Sequence, residues 1–136
     1  LDYEIAEVMS SVDAGVYVLD FVPNASSDQI YEKMETFYRI LRDKHPRTPI
    51  IFIEDPVFTH ALFDKKIAIE INKKNKAVNS VFKSLKTKGE KNIYMISSEK
   101  MLGEDGEATV DGIHFTDLGM MRYADLVCPV IKKVLK

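Results

Sequence analysis

The sequence predicts a single α/β domain over residues 1–136, a three-layer sandwich with helices on both faces of a parallel sheet. Three short apolar runs rich in β-branched residues have the length and composition of buried strands. Longer segments with apolar residues at helical spacing separate these runs, and connections of that length join parallel strands. The predicted order is therefore α-β-α-β-α-β-loop-α.

The first half of the chain alternates helix and strand. Residues 16–21 predict the first strand, and Pro23 ends it because proline has no N–H to donate. The second helix ends before Pro46, which disfavours helical backbone at the preceding residue. An amphipathic first helix is predicted by four apolar residues at helical spacing: Leu1, Ile5, Val8 and Val12. Three residues are candidates to cap the second helix: Ser26, Ser27 and Asp28.

The second half contains two more strands and two more helices. Residues 49–54 and 92–97 predict the strands, and apolar residues between 63 and 85 predict a long helix that ends near Gly89. Thr116 would cap the last helix, whose predicted apolar positions include Leu118, Met121, Cys128 and Ile131. Cys128 is the only cysteine, so no internal disulfide can form, and we expect it in the core among its apolar neighbours.

Charge and composition exclude several classes of function. The net charge of −2 gives no overall electrostatic attraction to nucleic acid or to an anionic membrane. No apolar run approaches the ~20 residues that span a bilayer. Glu54 and Asp55 are neighbours on a strand and point to opposite faces, and no histidine or cysteine joins them as a metal ligand. We expect no nucleic acid, membrane span, metal or cofactor.

Polar residues follow each of the three predicted strands. In open α/β sheets, ligands bind at the carboxyl ends of the strands, and parallel strands bring those ends to one edge. Three groups of residues fall at this edge: Asp20 with Asn24, Glu54 with Asp55, and the loop from Asp111 to His114. The sequence therefore predicts a site there.

The Asp111–His114 pair is the strongest candidate for chemistry. A carboxylate three residues before a histidine can accept a hydrogen bond from one imidazole nitrogen, which fixes the tautomer and leaves the other nitrogen free as a general base. The alternative is a histidine that only caps or packs against the last helix. Thr116 and Gly119 favour the first interpretation, because glycine inside a helix costs about 1 kcal/mol and indicates that a close approach is needed.

Residues 111–119 resemble the last conserved block of the SGNH hydrolases, also called GDSL esterases and lipases. In that family the aspartate and histidine of this block complete a Ser-His-Asp triad. The resemblance implies that His114 is the general base and that Asp111 orients it. It also implies a flavodoxin-like SGNH fold, of which residues 1–136 would form the C-terminal part without the N-terminal strands.

Residues 17–24 are similar to the third conserved block in a divergent branch of that family, where Pro-Asn follows a strand. By that resemblance Asn24 is the asparagine of the oxyanion hole, an amide donor that stabilises the developing negative charge. The usual third block is Gly-x-Asn-Asp, and here Val22 and Ala25 occupy the glycine and final aspartate positions. The alternative is that Asn24 is only a turn residue after Pro23.

The sequence contains no Gly-Asp-Ser-like motif that would supply the nucleophile. Ser26 and Ser27 lie where a helix cap is needed. Ser97 and Ser98 follow the third strand but lack the sharp strand-to-helix turn that exposes a nucleophilic serine. We therefore expect the serine upstream of Leu1, and we expect the isolated chain to be inactive or nearly so.

The resemblance implies ester hydrolysis through an acyl-enzyme, with a small ester such as an acylated carbohydrate or lipid as the substrate. The alternative from another class is a non-catalytic α/β module that binds a ligand or a partner. Without the family's central strand, residues 16–21 would form an exposed apolar edge, and such edges recruit partners. We therefore expect self-association, strand to strand. The sequence gives no localisation.

Overall fold

The computed structural model describes all 136 residues and confirms the predicted α/β order. The four helices are α1 (Tyr3–Ser10), α2 (Ser27–Lys44), α3 (Lys65–Thr87) and α4 (Asp117–Val134). The three strands are β1 (Tyr17–Leu19), β2 (Ile50–Ile53) and β3 (Ile93–Ile96). Two single turns of 3₁₀ helix follow β1 and β2, at Val22–Asn24 and Thr59–Leu62. None of the four helices combines the length and the hydropathy that a membrane-spanning helix requires.

The three strands form one parallel sheet in the order β1-β2-β3. All four residues of β2 are buried, because the strand has a neighbour on each side and helices cover both of its faces. β1 pairs only with β2, so its other edge is open. It is also shorter than predicted, because Phe21 already has a helical backbone conformation at the start of the 3₁₀ turn.

Two clusters of buried side chains make the domain three layers thick. The larger cluster joins α1, α2 and α3 to one face of the sheet, with Met34, Phe52 and Val78 among its fully buried members. The smaller cluster joins α4 to the other face, where Val127 packs with Ile51 and Ile53. The alternation of Ile51 and Phe52 between the two clusters follows from the two-residue period of a strand.

Helix α4 presents only part of the face that its apolar positions predict, since Ile131 packs against the smaller cluster. Cys128 is exposed, so the prediction of a core cysteine is wrong, and Met121 is exposed by 64%. The residues that pack on the sheet are Val127, with Tyr123, Leu126 and others beside it. Apolar residues occur around most of this helix, so their spacing alone does not indicate which side meets the sheet.

Helix α1 also differs from its prediction. It buries Ala6 and Ser10 and leaves Ile5, Val8 and Val12 more than half exposed. The small Ala6 side chain allows α1 to lie close against the core formed with α2. Of the apolar stripe that predicts the helix, only Leu1 packs against the core, and Ile5 lines a cleft beside the open edge of β1.

Candidate active site

Asp111 and His114 form a direct hydrogen bond in the loop before α4. His114 Nδ1 lies 2.7 Å from Asp111 Oδ2, while Asp111 Oδ1 accepts the backbone N–H groups of Ile113 and His114 at 3.0 and 2.8 Å. The two carboxylate oxygens therefore act separately, since Oδ1 holds the backbone of the loop and Oδ2 holds the ring. The side chain of His114 is 80% exposed, which leaves Nε2 accessible to a reacting group.

The hydrogen bonds around Asp111 keep it ionised. The backbone N–H and then the ring of His114, followed by the N–H of Ile113, hold the pKa of the Asp111 carboxyl well below its usual value. A carboxylate that accepts this many hydrogen bonds is a negative charge at neutral pH. It therefore favours a proton on Nδ1 of His114 and a lone pair on Nε2.

A small antiparallel clasp holds this loop in place. Thr109 and Phe115 form an isolated β-bridge, and the N–H groups of Val110 and Thr116 donate to the carbonyls of His114 and Ala108 at 2.8 and 3.0 Å. Thr116 caps α4 as predicted, because its Oγ1 accepts the N–H of Gly119 at 3.1 Å. The loop and the start of the helix are thus one hydrogen-bonded unit.

Gly119 allows the close approach between α4 and the clasp that a glycine within the helix predicts. A Cβ atom at this position would lie 2.1 Å from the carbonyl oxygen of Ala108 and 3.1 Å from the Cβ atom of Phe115. No real side chain fits at such distances, so only glycine lets α4 rest against the clasp. Gly119 therefore allows α4 to pack against the clasp and, through the clasp, helps to fix the loop of the Asp111–His114 pair.

The 3₁₀ turn after β2 supports the same loop from the outside. His60 donates its N–H to the carbonyl of Gly112 at 3.3 Å, and the hydroxyls of Thr59 and Thr109 are 3.1 Å apart. Gly112 has a φ of +91°, where a side chain would be strained, and it would place a Cβ atom 3.2 Å from that of His60. No pattern in the sequence indicates this supporting contact of His60.

Asn24 lies at the end of the 3₁₀ turn after β1, at the carboxyl edge of the sheet as predicted. Its N–H donates to Phe21 at 3.0 Å, and its side chain is exposed. The carbonyl of Pro23 accepts a hydrogen bond from Lys74 Nζ at 3.0 Å, which ties the turn to α3. Asp111 and His114 contact each other directly, whereas Asn24 shares no hydrogen bond with either residue. Asn24 is related to the pair only by its position at the carboxyl edge of the same sheet.

Three of the four serine candidates within the chain have structural roles. Ser26 and Gln29 form a reciprocal capping box at the start of α2. Ser97 and Ser98 donate their hydroxyls to Glu54 Oε2 at 3.3 and 2.9 Å, and the N–H of Ser98 donates to the same oxygen at 2.7 Å. None of these serines is hydrogen-bonded to His114.

Glu54 and Asp55 have separate surroundings, as their adjacent positions predict. Burial favours a higher pKa for Glu54, but hydrogen bonds from Ser98 and Asn79 outweigh this and lower its pKa. Burial raises the pKa of Asp55, an effect to which the charge of Asp20 adds and which Lys74 opposes. Glu54 is therefore a well-satisfied anion, whereas neither carboxylate oxygen of Asp55 receives a hydrogen bond.

An Asp–His pair at the carboxyl edge of a parallel three-layer sheet is typical of hydrolytic enzymes with a histidine base. The model of the GDSL-like lipase/acylhydrolase family matches residues 1–132. This chain belongs to that family, and the match confirms the family resemblance that the sequence predicts.

Two solved structures share the fold. A Bacteroides ovatus protein described as a GDSL-like lipase is 36% identical, with a TM-score of 0.94 over 98% of this chain and 40% of that protein. The salicylyl-acyltransferase SsfX3 of a tetracycline biosynthetic pathway is 15% identical, with a TM-score of 0.78 over 99% of this chain and 43% of that protein. The chain thus spans less than half the length of either. A search of curated proteins finds no match.

Proposed function

We propose that this chain provides the base and the oxyanion donor of a serine esterase. In this proposal His114 Nε2 removes the proton from a serine hydroxyl, Asp111 orients the ring and stabilises the imidazolium that this transfer forms, and the amide of Asn24 donates to the oxyanion. The reaction is hydrolysis of a small ester, such as an acylated carbohydrate or lipid, through an acyl-enzyme.

The observation that carries this proposal is the 2.7 Å contact between His114 Nδ1 and Asp111 Oδ2, with Nε2 open to solvent. A histidine that only packs or caps would be partly buried or bonded through both nitrogens. The exposed Nε2 instead has the geometry of a base that can accept the proton of a nucleophilic hydroxyl.

The nucleophilic serine comes from outside these 136 residues in this proposal. Ser26 is used in the capping box, and Ser97 and Ser98 donate to Glu54. Because the chain spans 40% of the Bacteroides ovatus protein, a protein of that length has room for a serine-bearing strand and turn outside the matched part. A triad without its nucleophile keeps little catalysis, so we expect the isolated chain to be inactive or nearly so.

The tautomer of His114 tests the arrangement without any substrate. Long-range ¹H–¹⁵N NMR at a pH well above the usual histidine pKa is expected to show the proton on Nδ1 and a bare Nε2. In Asp111→Asn, Oδ1 can still hold the loop, but the amide NH₂ meets Nδ1 and the proton moves to Nε2. Asp117→Asn, an exposed aspartate in the first turn of α4, should leave the tautomer unchanged.

Two results would contradict the proposal. A proton on Nε2 in the unaltered chain would show that the ring is not poised as a base. Hydrolysis of a simple acetate ester by the isolated chain, lost on Ser98→Ala or Ser26→Ala, would assign the nucleophile to these residues instead.

We also propose that the isolated 136-residue chain self-associates through the open edge of β1. An apolar cleft of about 200 Å³ lies beside this edge, with Ile5, Val18 and Phe21 in its lining. A second copy is the occupant, because its own β1 offers the same unpaired edge and the same apolar residues. Such a contact would be strand to strand across a two-fold axis.

Light scattering on matched variants tests this association. Ile5→Lys places a charge in the cleft and should leave only monomers, whereas Val8→Lys, on the same helix but outside the cleft lining, should remain a dimer. A monodisperse monomer for the unaltered chain, or equal effects of the two lysines, would overturn the association.

A further inference from the structure

Asp55 and Lys74 form an internal pair that the proposed catalytic roles do not require. The side chain of Asp55 is 1% exposed and that of Lys74 is 16% exposed. Lys74 Nζ lies 3.4 Å from Asp55 Oδ2, and no hydrogen bond reaches either carboxylate oxygen. Burying an ion pair this poorly bonded is costly, and well-packed apolar residues would stabilise the fold as well or better. Stability alone therefore does not account for the pair.

The ammonium group of Lys74 has a second contact that indicates what the pair does. It donates to the carbonyl of Pro23 at 3.0 Å, in the turn that carries Asn24. The turn has weak support of its own, because a single 3₁₀ turn has poor hydrogen-bond geometry and Pro23 has no N–H. Its internal bonds are those from Asn24 and Ala25 to Phe21 and Val22, at 3.0 and 3.3 Å.

The carboxylate of Asp55 is a fixed point for this contact. Its backbone is clamped by Asn75, whose amide oxygen accepts the N–H of Asp55 at 2.7 Å and whose amide nitrogen donates to its carbonyl at 2.9 Å. Since Lys74 and Asn75 are adjacent on α3, the same turn of helix sets both the carboxylate and the ammonium group. The Asp55 carboxyl group, 3.4 Å from Lys74 Nζ, then keeps the ammonium group over the Pro23 carbonyl, whereas a free lysine would extend to solvent.

We propose that Lys74 and Asp55 are positioning residues that hold the Asn24 turn at the end of β1. Lys74 makes the contact with the turn, and Asp55 keeps Lys74 in place. The two residues matter for catalysis only if Asn24 has its proposed role, since a donor to an oxyanion must be oriented before the charge develops. The contact itself is independent of that role and can be tested without substrate.

Amide hydrogen exchange, followed by NMR on the 136-residue chain, measures how firmly the turn is held. Lys74→Met keeps most of the side-chain stem and removes the charged donor, so exchange at Asn24 and Ala25 should become about tenfold faster or more. The amide of Phe52 in β2 should keep its rate, which would show that the fold is intact. Lys74→Arg, which restores a charged donor, should bring the rates back towards the original values.

Lys73→Met is the matched control, because Lys73 is 60% exposed on the same helix and its ion pair is with Glu70. It should leave exchange at Asn24 and Ala25 unchanged. Asp55→Asn keeps the shape of the side chain and removes its charge, so it should speed exchange at the same two amides by a smaller factor.

The proposal is overturned if the Ala25 amide of Lys74→Met exchanges at the rate of the unaltered chain. It is also overturned if Lys73→Met accelerates exchange at Asn24 and Ala25 as much as Lys74→Met does. Should Lys74→Met fail to fold, Asp55→Asn decides the question, and unchanged exchange in that variant rejects the pair as a positioning element. Because no substrate is present, these outcomes are separate from any failure of Asn24 as an oxyanion donor.

Discussion

Gly119→Ala is expected to destabilise the domain by about 3 kcal/mol and to displace the loop of the Asp111–His114 pair. The new Cβ atom would lie 2.1 Å from the carbonyl oxygen of Ala108. That oxygen accepts a hydrogen bond from the N–H of Thr116 at 3.0 Å. Displacing the Ala108 carbonyl to make room for the new Cβ atom therefore also breaks this hydrogen bond of the clasp. The gain of about 1 kcal/mol in helix propensity from glycine to alanine is smaller than this steric cost.

Urea unfolding measures the loss of stability, and the NMR signals of the His114 ring report the displacement of the loop. Met120→Ala is the control, since Met120 is the next residue of α4 and is 58% exposed. Its unfolding free energy should stay within about 0.5 kcal/mol of the original. Equal stability of Gly119→Ala and the unaltered chain would mean that the helix and clasp can separate without cost.

Glu54→Gln is expected to cost about 2 kcal/mol of unfolding free energy. Four donors point at the carboxylate of Glu54: the Ser97 hydroxyl, the Ser98 hydroxyl, the Ser98 N–H and the amide NH₂ of Asn79. A glutamine amide must turn its own NH₂ towards either Ser98 or Asn79. Asn79 is not free to rotate in compensation, because its NH₂ also donates to the carbonyl of Asn75 at 2.8 Å.

The effect of Glu54→Gln should depend on pH with a defined sign. The pKa of Glu54 is lower in the folded chain than in the unfolded one, since its hydrogen bonds outweigh burial. Its contribution is therefore complete above the unfolded pKa of about 4.3 and is lost as the pH falls through the folded pKa. The difference in unfolding free energy between the two chains should shrink over that range.

Chemical denaturation at several pH values checks this dependence, with Glu99→Gln as the control. Glu99 is exposed beside Ser98, and its side chain makes no hydrogen bond or ion pair. It should behave like the unaltered chain throughout. A difference for Glu54→Gln that stays constant as the pH falls would show that the carboxylate charge is not what the four donors stabilise.

Much of the fold could be predicted because the signals are local. Three short apolar runs and the helical spacing between them predict the order of elements, and Ser26 and Thr116 cap their helices as their residue types suggest. The contact of Asp111 with His114 could be predicted as well, because it spans three residues of one loop.

Which face of a helix is inside could not be predicted in the same way. Cys128 and Ile5 belong to apolar stripes that leave them exposed, because a stripe shows that a helix is amphipathic but not what lies beside it. On α4 the sheet selects the side of Val127, and on α1 the core accepts the small Ala6.

The sequence by itself determined the family, the layered α/β order and the Asp–His pair, since each is written in spacings of a few residues. Only the tertiary structure decided which hydrogen bonds fix the residues at the carboxyl edge of the sheet. Glu54 meets its donors from residues 25 and 44 positions away, and Lys74 reaches back 51 positions to Pro23. Such contacts depend on which distant segments the fold brings together, and no local pattern of residue types specifies that arrangement.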